Sequence, residues 1–126
     1  MNVVVDSSVI LAVLRNEIGA DRAAGALFGA AMASVNAVEV ITRLIDLGYA
    51  PERALSALSR FRLDIVAFDM ELAGMAGFLR AATRHVGLSL GDRACLALAI
   101  RDNATALTAD RNWADLDLPC KVELIR

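Results

Sequence analysis

The sequence predicts a single α/β domain layered around a mostly parallel β-sheet, and three observations predict it. Short β-branched runs alternate with stretches of helical periodicity along the whole 126-residue chain. The first run, Asn2-Val3-Val4-Val5, is apolar without alternation, as in a strand covered on both faces. The length suits one domain with one core, which can fold without disulfides or a structural metal.

The elements follow in order. The strand Asn2 to Val5 ends at Asp6, and Ser7 or Ser8 is placed to cap a helix begun by Val9, Ile10, Val13 and Leu14. Asn16 to Gly19 break that helix. Ala20 to Gly29 reads as a second helix, Ala31 to Val35 as a second strand, and Asn36 as the cap of a third helix with Glu39 in its first turn. The stripe of that helix is Val38, Ile41, Leu44 and Ile45, and Gly48 is its stop. Pro51 opens a fourth helix through Arg60, with Ala54, Leu55 and Leu58 apolar. Leu63 to Phe68 alternates as a strand, a helix follows from Met70 to about Arg84, and Gly87 to Gly91 forms a loop. Asp92 opens a helix that is nearly all apolar from Ala94 to Ile100 and ends at Asn103. Thr105 to Thr108 is the next strand, followed by Asp110, and Val122 to Ile125 is the last.

Composition bounds the function. Hydrophobic residues make up 57% of the chain and mean hydropathy is +0.52, so some surface is expected to meet a partner. No apolar stretch approaches the roughly 20 residues that cross a bilayer, and no secretory leader precedes the first strand, so cytoplasmic residence is expected. Cys95 and Cys120 form neither a zinc motif nor a disulfide framework and read as reduced packing residues. The net charge of −2 weighs mildly against a nucleic-acid binder. All basic residues but Lys121 are arginines, however, and local arginine patches hold phosphate whatever the total charge.

The acids give the chemistry. Parallel sheets bind ligands outside their strand carboxyl ends, where Asp6 and Asp110 belong. Glu39 and Asp92 lie in first turns of helices starting at the same rim. Four converging carboxylates are costly without a cation, and hard divalent ions prefer carboxylate oxygens, so Mg2+ or Mn2+ would suit. Taken singly, Glu39 and Asp92 are equally read as first-turn acids favoured by the helix dipole, and Asp110 as a turn residue. Asp64, Asp69 and Asp102 read as solvated.

The residues around these acids carry a resemblance. Val3-Val4-Val5-Asp6-Ser7-Ser8, Glu39 after the second strand, Leu88-Ser89-Leu90-Gly91-Asp92-Arg93-Ala94 and Leu107-Thr108-Ala109-Asp110-Arg111-Asn112-Trp113 together resemble the PIN-domain family. In particular they resemble the VapC-type toxins of bacterial type II toxin–antitoxin pairs, over almost the whole chain. The resemblance implies a three-layer α/β/α sandwich and a ribonuclease whose catalytic, metal-binding acids are Asp6, Glu39, Asp92 and the more variable Asp110. It also implies a hydroxyl near the metal at Thr108, a homodimer and a cognate antitoxin. Asp115 competes with Asp110 for the fourth place, and Ser7 is a secondary candidate for the metal shell.

Other residues read more plainly. Arg93 and Arg111 stand beside proposed metal acids and either meet phosphate or form surface ion pairs. Trp113 reads as a packing residue, and His85, without triad partners, as a helix-end residue. The apolar helices around Leu27-Phe28 and Ala54 to Leu58 offer a groove or dimer surface. Two rival functions remain. A phosphoacceptor receiver domain would use Lys121, but it needs an acidic pair after the first strand, where this chain has Val5-Asp6-Ser7. A non-catalytic PIN-like module would bind RNA or protein without cleaving it.

Overall fold

The computed structural model describes residues 2–126. The elements run β1 (Val3–Val5), α1 (Ser7–Leu14), α2 (Ala20–Ala26), β2 (Ala31–Ala33), α3 (Ser34–Asp46), α4 (Pro51–Ser59), β3 (Asp64–Val66), α5 (Met70–Thr83), α6 (Leu90–Arg101), β4 (Thr105–Thr108) and β5 (Val122–Leu124). A single 3-10 turn, Arg111–Trp113, follows β4. The strands form one sheet in the order β3-β2-β1-β4-β5, and every pairing is parallel.

The sheet separates two cores, because successive side chains of a strand point to opposite faces. Val5, Met32 and Leu107 face the core shared with α1, α2, α3 and α4, whereas Val4, Ala33 and Ala106 face the core shared with α5 and α6. The result is the three-layer α/β/α sandwich. Trp113 is wholly buried in the second core, a packing residue as its sequence context predicts. Among the described residues no helix is long and apolar enough to cross a membrane.

Several boundaries differ from the sequence reading. The second helix ends at Ala26, with Leu27 still helical in backbone angle, and Gly29 adopts a positive φ of 74° that ends any continuation. The strand expected over Ala31 to Val35 stops at Ala33, because Ser34 already turns into α3. Asn36 is therefore not a cap but a residue inside the first turn, and Glu39, expected in that turn, falls in the second because the helix starts at Ser34, two residues before Asn36. The buried stripe of α3 is Ala37, Val40 and Leu44, an i, i+3, i+7 pattern, and Val38 and Ile45 are exposed. Likewise Ser7 and Ser8 lie within α1, which carries no side-chain cap, since their hydroxyls are engaged elsewhere. The edge strand β3 is shorter than Leu63 to Phe68, and Asp69 is not merely solvated: its Oδ1 accepts from the Leu72 amide and caps α5.

Candidate metal centre

Parallel pairing brings the carboxyl ends of β1 and β4 to one edge, with Val5 opposite Leu107. The Asp6 amide extends this pairing by donating to the Leu107 carbonyl at 3.0 Å, which places Asp6 level with the end of β4. Only 4% of Asp6 is exposed. Its Oδ2 accepts from Ser8 Oγ at 2.6 Å and from Thr108 Oγ1 at 2.9 Å. Both hydroxyls are themselves oriented by backbone donors: Ala109 N donates to Ser8 Oγ, and Asp110 N to Thr108 Oγ1. Asp6 is thus fixed by neutral donors from two neighbouring strand ends.

Burial is the main reason that the Asp6 carboxyl is pushed up from 3.8 to about 6. The hydroxyls of Ser8 and Thr108 oppose that rise, whereas the negative charges of Asp92 and Glu39 add to it. The charges of Glu39 and Asp92 are thus felt at Asp6. Beneath them the buried Cys95 thiol is pushed well above its ordinary value, first by burial and then by the charges of Asp6 and Asp92.

Glu39 is half-buried in α3 and is tied to both sides of the site. Its Oε1 accepts from Ser7 Oγ at 3.1 Å and from Asn36 Nδ2 at 2.9 Å. The same Ser7 hydroxyl lies 3.5 Å from Asp6 Oδ1, so Ser7 stands between the two carboxylates. Asp92 sits in the first turn of α6, where Ser89 and Asp92 cap one another reciprocally: Asp92 N donates to Ser89 Oγ and Ser89 N to Asp92 Oδ2. The helix begins two residues before Asp92, not at it.

Asp110 joins the site differently. Its amide touches Thr108 Oγ1, one hydroxyl away from Asp6, while its own Oδ1 accepts from Asn112 N and caps the 3-10 turn. Asp115 is exposed and takes part in none of these hydrogen bonds. Arg93 is neither in an ion pair nor free, because its Nη1 donates to the Ala76 carbonyl at 3.0 Å and fastens α6 to α5. Arg111 is exposed beside Asp110.

Two residues were missed in the sequence as parts of the site. Asn36, read there as a cap, is a buried amide bonded to Glu39 and to the Gly91 carbonyl. Gly91 lies so close to Glu39 that a methyl group there would collide with its carboxylate. The Ser89-x-x-Asp92 spacing was a readable signal for the cap; nothing local marks Asn36, whose second partner lies 55 residues away.

The donor set fits a hard divalent cation. It is all oxygen, and among the described residues none of the four acids forms an ion pair. As they stand, no three acidic, imidazole or thiol side chains among the described residues are gathered closely enough to hold a metal ion. The depressions along α4, lined by Leu14, Tyr49, Arg53 and Phe61, contain none of the four acids.

A doubly wound parallel sheet with buried acid at its carboxyl rim defines a class of small α/β domains whose ligand site lies at strand ends. The PIN domain family matches residues 3–118, and the chain belongs to that family. Solved structures agree on the fold. A chain of the VapBC2 complex of Rickettsia felis, bound to a promoter DNA fragment, is 21% identical with a TM-score of 0.75, covering 98% of each chain. A chain of DNA-bound VapBC from Salmonella typhimurium is 19% identical with a TM-score of 0.76, covering 100% of this chain and 99% of that one. FitAcB of Neisseria gonorrhoeae gives 17% identity and a TM-score of 0.71, covering 98% and 97%. No match was found among curated proteins.

Proposed function

We propose that the chain is a metal-dependent ribonuclease of the VapC type, the toxin of a toxin–antitoxin pair, hydrolysing RNA phosphodiester bonds. The observation that carries this is the buried Asp6 carboxylate, joined to Glu39 through Ser7 and, among the described residues, in no ion pair with a positive side chain. Membership of the PIN family and the likeness to VapBC and FitAcB chains support the reaction and the partner.

Asp6, Glu39 and Asp92 would hold Mg2+ or Mn2+, with Asp110 joining from the Thr108 side and Asp115 as its substitute. A bound ion of this kind supplies a more acidic water and neutralises charge that develops on phosphoryl oxygens. The protein's own part is geometry. Ser8 and Thr108 occupy Asp6 Oδ2, which leaves Oδ1 with only the long approach of Ser7. Ser7 keeps Asp6 and Glu39 apart without adding charge. Arg111, exposed next to Asp110, is available for a phosphate of the RNA, whereas Arg93 is committed to the helix seam.

The partners are a cognate antitoxin and a second copy of the chain, in the cytoplasm. Phe28 at 99% exposure, and Met70 and Phe78 at 82% each, leave apolar surface for them. The test is direct: purified protein should cleave RNA in Mg2+ or Mn2+ and stop in excess EDTA, and production of the chain alone should arrest growth until the antitoxin is supplied. Cleavage that persists in EDTA would remove the metal from the reading. A second reading, a PIN module that binds RNA or protein without cutting, is favoured by one observation: the acids are not gathered as a closed metal clamp. It predicts RNA retention without cleavage at any metal concentration.

A further inference from the structure

Asn36 is wholly buried although polar, and it spans the seam between the two helices that carry Glu39 and Asp92. Its Nδ2 donates one proton to Glu39 Oε1 at 2.9 Å and the other to the Gly91 carbonyl, in the first turn of α6, at 3.0 Å. Both of these partners are acceptors only, so the amide can face them in one orientation alone. On the other side of Glu39, Gly91 offers no side chain, and all three atoms of the carboxylate group lie where its Cβ would be. The Glu39 side chain is therefore held between an amide and a bare backbone.

The two carboxylate oxygens are treated unequally. Oε1 accepts from Asn36 and from Ser7, while Oε2 accepts no hydrogen bond among the described residues. Packing alone does not account for Asn36. Its Oδ1 is buried without a partner, a destabilising arrangement that an apolar side chain would avoid. We infer that Asn36 is a positioning residue: it holds the Glu39 carboxylate against Gly91 with Oε1 occupied, and so fixes its orientation relative to Asp92 for a divalent cation. This rests on the reading of the acids as a divalent-cation site.

The experiment titrates Mn2+ alone into the full chain by calorimetry, first for the native protein and then for Asn36→Ala and Asn36→Asp. The aspartate variant keeps the size but replaces the donor with an acceptor. Loss of such an outer contact weakens Mn2+ binding about tenfold or more, with the KM for RNA within about twofold of native. A merely structural role predicts a lower melting temperature with native Mn2+ affinity. Affinity within about twofold of native in folded Asn36→Ala overturns the inference.

A measurement on the native protein does not depend on the variants folding. The chain has five asparagines and no glutamine, so its side-chain amide signals can be assigned. The Asn36 pair should exchange slowly with solvent because both of its protons are bonded, and exchange as fast as that of the exposed asparagines overturns the inference; its broadening by Mn2+ tests only that the ion binds beside it. If native protein binds no Mn2+, the metal reading falls before any variant is compared, and this inference falls with it.

Discussion

Asp6 is a carboxylate that the fold has taken out of water without, among the described residues, giving it a positive partner. Because its folded value of about 6 lies above the unfolded 3.8, the folded state binds the extra proton between those values. The stability that the protonated group contributes is complete below about pH 4 and is lost as the pH rises through about 6. The loss by neutral pH is on the order of 3 kcal/mol. Asp6→Asn should accordingly stabilise the metal-free protein at pH 7.5 by about 1 to 3 kcal/mol and have little effect near pH 4, which urea unfolding in EDTA at both pH values checks. An equal shift at both pH values would contradict the burial account. Asp6 was visible in the sequence because a β-branched run ended on it; its hydroxyl clamp was not, since Thr108 lies 102 residues away.

At the scale of elements, α3 and α6 matter because Asp92 lies in the first turn of α6 and Glu39 in the second turn of α3. The reciprocal cap of α6 both starts the helix and restrains Asp92. Ser89→Ala should cost about 1 kcal/mol in unfolding free energy, read by urea denaturation, because the Asp92 amide loses its acceptor. Gly91→Ala has opposed consequences. Alanine favours the helix by up to about 1 kcal/mol, yet its methyl displaces Glu39. The melting temperature should change little while RNA cleavage falls at least about tenfold. Loss of both together would mean a general disruption of α6 instead. Strand ends and helix starts were legible from valine runs and Pro51, whereas α6 was opened at Asp92 and in fact starts at Leu90 behind the Ser89 cap. The apolar stripe of α3 was misjudged by including Val38 and Ile45, because apolar identity does not reveal which face a neighbouring helix covers.

For the whole molecule, the alternation of strands and helices was enough to predict a parallel layered sheet, since parallel strands require crossovers that cover both faces. What the sequence did not reveal is how far the four acids close on one another, because that depends on contacts between elements distant in the chain. Asp6, Glu39 and Asp92 interact electrostatically, while Asp110 is linked through Thr108 and its carboxylate serves a turn. A ligand that binds only the folded chain stabilises it by mass action. At a hundredfold excess of Mn2+ over its dissociation constant the gain is about 2.7 kcal/mol, several degrees in melting temperature for a domain of this size. Magnesium or manganese should therefore raise the melting temperature of the native protein and leave that of Asp6→Asn nearly unchanged.

On the proposed reading the buried Asp6 and the part-buried Glu39 and Asp92 at the sheet's carboxyl rim cut RNA with a divalent ion. Single-turnover cleavage of RNA in Mn2+ tests it most directly, comparing native protein with folded Asp6→Asn and Asp92→Asn. Each substitution should lower the cleavage rate by about a hundredfold or more while RNA binding is retained. Cleavage at the native rate by both variants would contradict it.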